Sequence, residues 1–263
     1  MPMTTRARGG ARTGRAVFFA AAFLSGLGAG GGGAAAPPPD FLETLSMARH
    51  RLSAVQDYTA VFHKQQRVGG VLQPEEKILF KFKRPFMVYM KWIGDAHSGR
   101  EALFVKGRHG DKLLVHPGGM ANYFAPTAAL DPNGMLAMRN NLRPITESGM
   151  EAMINLIAEA CELAMRRGDL VVRYCGTSRR DGRAVHRFER FLPADKGYPA
   201  RMTIFEMDSE TGYPLLVYSY GWEGEVLERY RYDNFRTDVG LTDKDFDRGN
   251  RAYGFGRFTA RIP

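Results

Sequence analysis

A few residues in this 263-residue sequence have types and spacings that invite a chemical reading. His186 and Glu189, in "HRFE", would make an acid–base pair, but on a strand their odd spacing places them on opposite faces. Asp243, Asp245 and Asp247, in "TDKDFD", are oxygen donors suited to a hard cation. The glycine and distal glutamate of a calcium loop are missing, so they read as a solvated tail. His116, just before Pro117, reads as a strand-end residue. Cys161 and Cys175 are the only cysteines, and without C-x-x-C spacing they give no sign of redox or zinc chemistry. In an exported chain they are either a disulfide or two half-buried thiols, and the spacing leaves both open. No G-x-S-x-G, H-E-x-x-H or phosphate-binding glycine loop occurs. The expectation is therefore a non-enzymatic protein with no catalytic residue, no metal and no cofactor.

The chemistry that does stand out is burial. In "KILFKFKRPFMVYMKW" (77–92), alternation places Phe80 and Phe82 before a proline, and Phe86, Val88, Met90 and Trp92 after it, on one wall. Lys81 and Lys83 fall on the other, wet side. Pro85 cannot donate to a ladder and biases Arg84 toward extended backbone, so "RP" marks a turn between two strands. That turn puts Arg84 at the rim of an apolar wall. Tyr230 and Tyr232, in "YRYDNF", share a face with Val226 and read as cavity wall or core rather than as a stacking site for a sugar or base. The chain has thirteen methionines, and eight of them (Met87, Met90, Met135, Met138, Met150, Met153, Met202 and Met207) fall in candidate sheet or helix segments. Each alone reads as core filling; together they suit an adaptable pocket.

These residues need elements to position them. After "PPPD", Asp40 can cap a helix whose apolar face is Phe41, Leu45, Ala48, Leu52 and Val55. From Tyr58 the period changes to two. Successive alternating segments are divided by "GG" (69–70), Pro85 and "GDK", which predicts an antiparallel meander. The turn-rich "LDPNGMLAMRNNLRP" (130–144) leads to a helix over 149–167 with Met150, Met153, Ile154, Ile157, Cys161 and Ala164 on one face. Arg166 and Arg167 suit its C-terminal dipole, and Gly168 ends it. Strands resume across turns at "RRDG", "SETG" and "WEGE", and the last segment, without periodicity, reads as an irregular tail.

The first 36 residues read as a secretory signal peptide, and residues 37–263 as a single domain. Arg6, Arg8, Arg12 and Arg15 precede the apolar run 16–30 and a small-residue stretch that could hold a cleavage site. The run is short for a membrane span. No cysteine lies near the cut, so a lipid anchor is not expected. The leader holds four of the 37 basic residues and no acidic one, which leaves 33 basic against 28 acidic residues, a net charge of +5. A mild, scattered excess of this kind argues against nucleic acid as a partner.

Roughly ten antiparallel strands make a sheet wide enough to curl. The fold class is therefore α+β: a strongly curved antiparallel half-barrel of about ten strands, with helices packed in or over its concave face. If the helices fill that face only partly, an apolar cavity remains.

Three stretches, "LSAVQDYTAVFHKQ", "FKFKRP" and "GDKLLVHP", resemble the LolA-type lipoprotein-carrier superfamily. The C-terminal half, ending in "GLTDKDFD…YGF", resembles an uncharacterised bacterial family of secreted proteins within it. The likeness spans about residues 40–255. The segment between Pro117 and Gly168 departs from the superfamily's lid. The resemblance implies a periplasmic or otherwise exported protein that holds a lipid, an acyl chain or a lipidated protein. Helix 149–167 would be the lid or plug. Phe80, Phe82, Arg84, Phe86, Val88, Met90 and Trp92 are the expected ligand-binding residues. In such carriers the arginine before the proline contacts the lid helices, and Arg84 is the matching position. The partners expected are a lipid or lipidated protein, met by a monomer, with transient membrane or envelope-protein contact. The alternative is an envelope interaction or sensor module of the same fold, with a filled core and a protein partner.

Overall fold

The computed structural model describes residues 37–119, 126–255 and 259–261; the signal-peptide reading falls on residues 1–36, outside them. Asp40 opens helix α1 (Phe41–Ala54), its Oδ1 accepting the Glu43 N–H at 2.8 Å. Phe41, Leu45, Ala48 and Leu52, spaced as the sequence predicts, are buried. Beyond Val55 the chain turns into strands. They are β1 (Asp57–Val68), the two-residue β2 (Val71–Leu72), β3 (Glu76–Lys83), β4 (Met87–Trp92), β5 (Glu101–Val105), β6 (Leu113–His116) and β7 (Thr127–Leu130).

A helical excursion follows, with one turn of helix α2 (Met135–Met138), a 3-10 turn (Ile145–Glu147) and the long helix α3 (Met150–Arg166). A second meander then runs through β8 (Val171–Arg180), β9 (Arg183–Phe191), β10 (Met202–Asp208), β11 (Pro214–Tyr220) and β12 (Val226–Thr237). The short β13 (Thr259–Arg261) pairs parallel to β7; every other pairing is antiparallel.

The two meanders join where β12 pairs with β1, Phe62 opposite Tyr232 and Lys64 opposite Tyr230. One open sheet results, in the order β13-β7-β6-β5-β4-β3-β1-β12-β11-β10-β9-β8, with β2 paired to β1 outside that path. The path holds two strands more than the ten or so expected. It is the curved, unclosed antiparallel half-barrel of an α+β fold. Its concave face buries Ile78, Phe80, Phe82 and Val88 from one arm, and Val185, Phe188, Phe205 and Met207 from the other.

Both helices pack on this face. Phe41 of α1 meets Phe205 and Phe188 with ring centroids 4.8 and 5.2 Å apart. The start of α3 is seated on β1, where Tyr58 Oη accepts the Met150 N–H at 2.8 Å. Only glycine fits just before it. Gly149 has φ +102°, and a Cβ there would lie 2.5 Å from Tyr58 Oη.

The convex face corrects two expectations. Lys81 and Lys83 do not stand in open water, and Asp243 and Asp245 of "TDKDFD" are paired to them, while Asp243 and Asp247 stay exposed as expected. The C-terminal segment folds back over β3–β5 through a 3-10 turn (Asp243–Phe246). Lys83 Nζ meets Asp243 at 2.7 Å and Lys81 Nζ meets Asp245 at 2.9 Å. Beneath these pairs a second core forms from Met87, Tyr89, Leu103, Val105, Phe246 and Phe255, with Tyr253 stacked on Tyr89 at 4.0 Å. The physical reason lies in β4. Its apolar residues occupy both faces, and the face turned away from the cavity must also be covered.

The cysteines are free: Cys161 is buried on α3 and Cys175 is exposed on β8. Neither is the half-buried thiol expected, because Cys161 lies on the inward stripe of its helix. Among the described residues no helix is long and apolar enough to cross a membrane.

Candidate functional site

α1 and α3 do not fill the half-barrel. A cavity of about 720 Å³ remains between the sheet and the segment 130–160. Phe62, Ile78 and Met90 form its floor on one side of the β1–β12 seam, and Tyr230, Val217 and Phe205 on the other. Its roof is Met153, Leu156 and Ile157 of α3, continued by Ala137 and Ile145 of the strap 131–149. Register explains the apolar floor. Phe205 pairs with Val217, Val217 with Tyr230, and Phe62 with Ile78, so inward positions on neighbouring strands fall in line.

A polar row borders this floor. Arg190, Thr203, Ser219, Glu228 and Gln66 are successive cross-strand neighbours on β9, β10, β11, β12 and β1, and all five line the cavity. The strap is latched to one end of the row. Arg143 holds Glu228 in a two-pronged pair at 2.8 and 3.0 Å and donates to Tyr230 Oη at 2.9 Å. Those contacts lift the guanidinium pKa above its ordinary value even though burial opposes it. Burial lifts the Tyr230 phenol pKa, and the neighbouring Glu228 adds to that, so the hydroxyl stays protonated. Gln66 Oε1 takes the Leu142 N–H at 3.3 Å, and Lys64 reaches Asn141 at 2.6 Å and Glu76 at 2.9 Å.

The residues expected to bind ligand divide into three places. Met90 and Trp92 line the cavity. Phe80, Phe82 and Val88 are buried beside it; Phe82 and Phe80 lie beneath the start of α3, stacked 4.9 and 5.8 Å from Tyr58. Phe86 packs edge-on against Phe82 and Phe104, half-buried. Arg84 is not among the cavity-lining residues. It caps α1, its Nε donating to Val55 O at 2.8 Å and its Nη2 to Leu52 O at 3.2 Å, and it pairs with Glu151 in the first turn of α3 at 3.0 Å. It therefore ties the two helices together at the end of the sheet away from the polar row.

Sequence reasoning missed the whole second arm of the site apart from the tyrosines. It also missed the strap's latch and the buried Arg190. One signal was present for Arg190: counting by two from the buried Phe188 places it on the inner face. His186 and Glu189 do not meet. His186 contacts Tyr174 and Thr177, while Glu189 pairs with Arg173 and Arg187. His116 is buried and lies 3.4 Å from the Thr127 hydroxyl. Among the described residues no group of three or more His, Cys, Asp or Glu is placed to hold a metal ion.

A half-open antiparallel sheet whose concave face keeps a cavity beneath helices and a strap defines an α+β half-barrel fold. Within that class, the chain belongs to the family described as protein of unknown function (DUF1571), whose model matches residues 55–255. No curated protein matches the sequence. Solved structures similar to it include MucB, at 14% identity and TM-score 0.44, covering 79% of this chain and 61% of that one. Mycobacterium tuberculosis lipoprotein LppX is similar at 11% identity and TM-score 0.47, with 79% of this chain and 98% of that one covered. A LolA superfamily protein from Nitrosomonas europaea is similar at 10% identity and TM-score 0.33, with 80% and 98% covered. This chain thus spans about three fifths of MucB.

Proposed function

We propose that this is an exported, non-enzymatic binding protein that carries a lipid or acyl chain in the cavity between its sheet and the strap. The observation behind this reading is the cavity itself. Its volume of about 720 Å³ falls within the ~300–1,000 Å³ common for small-ligand sites. Much of its floor and roof is aliphatic and aromatic, with a polar row along one border and further polar groups on the strap and on the far arm. Burying an alkyl chain there gains roughly 25 cal/mol per Å² of apolar surface removed from water. Residues 1–36 act as the export signal in this reading, and 37–263 as the working domain. The adaptable Met90 and Met153 face the ligand.

The test is native mass spectrometry with lipid extraction of the mature protein purified from its own cell envelope. Lipid should co-purify with the wild type and be lost in Met153→Glu, which puts a charge in the roof at a half-buried position. If no lipid is recovered and an apolar dye of the bis-ANS type gains no fluorescence with the protein, the reading fails.

A further inference from the structure

Arg190 is an unusual wall for an apolar cavity. It is only 5% exposed and lines the space beside Phe205, over whose ring its guanidinium carbon sits 5.5 Å from the centroid. Its hydrogen bonds go to neutral atoms: Nη2 donates to Thr203 Oγ1 at 3.0 Å and Nη1 to Cys161 Sγ at 3.5 Å. Its buried Nε has no partner. A guanidinium has five N–H donors and keeps its charge at any physiological pH. Burying one away from an anion is costly, and proteins ordinarily pair such a group with a carboxylate.

Among the described residues no carboxylate forms an ion pair with Arg190. The acidic residues around the cavity are otherwise engaged or turned outward. Glu228 is held by Arg143 and Glu76 by Lys64, while Glu147 is exposed. The adjacent strand, β10, offers hydroxyl Thr203, and β11 beyond it offers Ser219, 3.4 Å from Thr203. On the far arm the buried Trp92 Nε1–H also lacks an acceptor, and Arg100 lies over its ring at 5.6 Å. Two buried donors of the lining, Arg190 Nε and Trp92 Nε1, thus lack a hydrogen-bond partner, and the one buried acceptor in that state, Glu76 Oε2, already has Lys64 beside it at 2.9 Å.

We infer that Arg190 is the headgroup site of the cavity, and that the ligand is a single-chain amphiphile with an acidic head, carboxylate or phosphate. This rests on the reading of the cavity as a lipid site and narrows it to anionic ligands. The head takes Arg190, with the Thr203 and Ser219 hydroxyls as neighbouring donors, and the chain lies along Phe205, Val217 and Tyr230 toward Met90. Charge-assisted bonds to a desolvated guanidinium favour the anion over a neutral alcohol of equal chain length.

The experiment compares dodecanoate, dodecyl phosphate, dodecanol and inorganic phosphate by tryptophan fluorescence. A Trp222→Phe background leaves Trp92, in the cavity wall, as the only reporter. At least one of the two anionic amphiphiles should bind on the order of tenfold tighter than dodecanol. Which of them does identifies the head as carboxylate or phosphate, and inorganic phosphate alone should bind far more weakly than either. Arg190→Met should reduce the anion-to-alcohol ratio to about one, while Arg190→Lys should keep part of the preference. Equal binding of anion and alcohol by the wild type overturns the headgroup site and leaves the lipid cavity standing. So does a ratio that survives Arg190→Met. No binding of any amphiphile overturns both. Where Arg190→Met does not fold, the wild-type ratio decides alone.

Discussion

The strap should open when its latch is removed, and Arg143→Met is the cleanest way to do so. Methionine keeps much of the aliphatic stem and deletes the fork that grips Glu228 and Tyr230. The two partners are 28% and 16% exposed, so the pair lies between a surface salt bridge and a buried one. Exposed pairs contribute about 0–1 kcal/mol, and breaking a buried pair costs about 3–5 kcal/mol. An intermediate loss of about 2 kcal/mol corresponds to roughly a thirtyfold rise in the strap's opening constant. Hydrogen exchange reads that constant directly. The amides of Asn141, Leu142, Glu147 and Ser148 are bonded within the strap or to Gln66. They should exchange roughly thirtyfold faster, while amides in the β1–β12 seam keep their rates. Glu228→Gln should produce a smaller change of the same sign, and adding it to Arg143→Met should cost little more, since the two residues share one interaction. Exchange in the strap within about threefold of wild type would show that the latch does not hold the strap.

Gly149→Ala combines a left-handed backbone position with a Cβ placed 2.5 Å from Tyr58 Oη, and should cost about 2–4 kcal/mol in urea unfolding. An unchanged midpoint would mean that α3 is not seated there. Arg84→Leu removes two charge-assisted caps on α1 and the link to Glu151. A loss of about 1–3 kcal/mol with retained secondary structure is expected, and outright unfolding would refute a role confined to joining the helices. The tail should come off the convex face in acid. Hydrogen bonds from Lys83 and Arg108 hold the Asp243 carboxyl below its ordinary 3.8. Burial opposes the same shift in Asp245, but the Thr242 N–H and Lys81 hold that carboxyl down as well. A carboxylate with a depressed folded pKa contributes stability that is complete above the unfolded value and lost as pH falls through the folded one. Lys81 is shifted upward by Asp245 and Tyr253 against its burial, so its share is present below 10.5 and lost only as pH rises beyond that. The near-ultraviolet signal of the stacked Tyr89–Tyr253 pair should thus be constant near neutrality and collapse below about pH 3.8, with the acid limb weakened in Asp245→Asn. A signal unchanged at low pH would contradict the ionic attachment.

Much of the architecture is legible because local periodicity writes it. Ile78, Phe80 and Phe82 point inward while Lys77 and Leu79 are exposed, because a strand repeats every two residues. Phe41, Leu45, Ala48 and Leu52 meet the sheet because a helix repeats every 3.6. The site is less legible, because it depends on which distant strands meet. Nothing local to "VFHKQQ" announces that its neighbour is "ERYRY", more than 160 residues later, yet that pairing sets Phe62 beside Tyr232 and Gln66 beside Glu228. The wall legible in the sequence was consequently that of one arm, and it took in Phe80 and Phe82, which the start of α3 covers. The C-terminal segment was illegible for a different reason. Phe246 and Phe255 sit in an irregular stretch with no period to betray burial, and only the two-faced apolar run "FMVYMKW" implied that something must lie behind β4.

The division of labour between the two faces bears on how the cavity can persist. The cavity of about 720 Å³ is partly open to solvent and carries charged and polar groups among its lining residues, so water or ligand can fill it. The polar row makes solvent tolerable, because Gln66, Thr203, Ser219 and Glu228 can bond water that no apolar floor would hold. Several stabilising contacts lie beside the cavity or behind it: α3 is seated on Tyr58, α1 is packed on Phe188, and the tail is clamped to the convex face. In the proposed reading, ligand exchanges beneath a strap held by Arg143, Lys64 and Gln66. On this argument, mutations in the convex core should lower stability while leaving the ratio of ligand affinities unchanged, and mutations in the polar row should do the reverse.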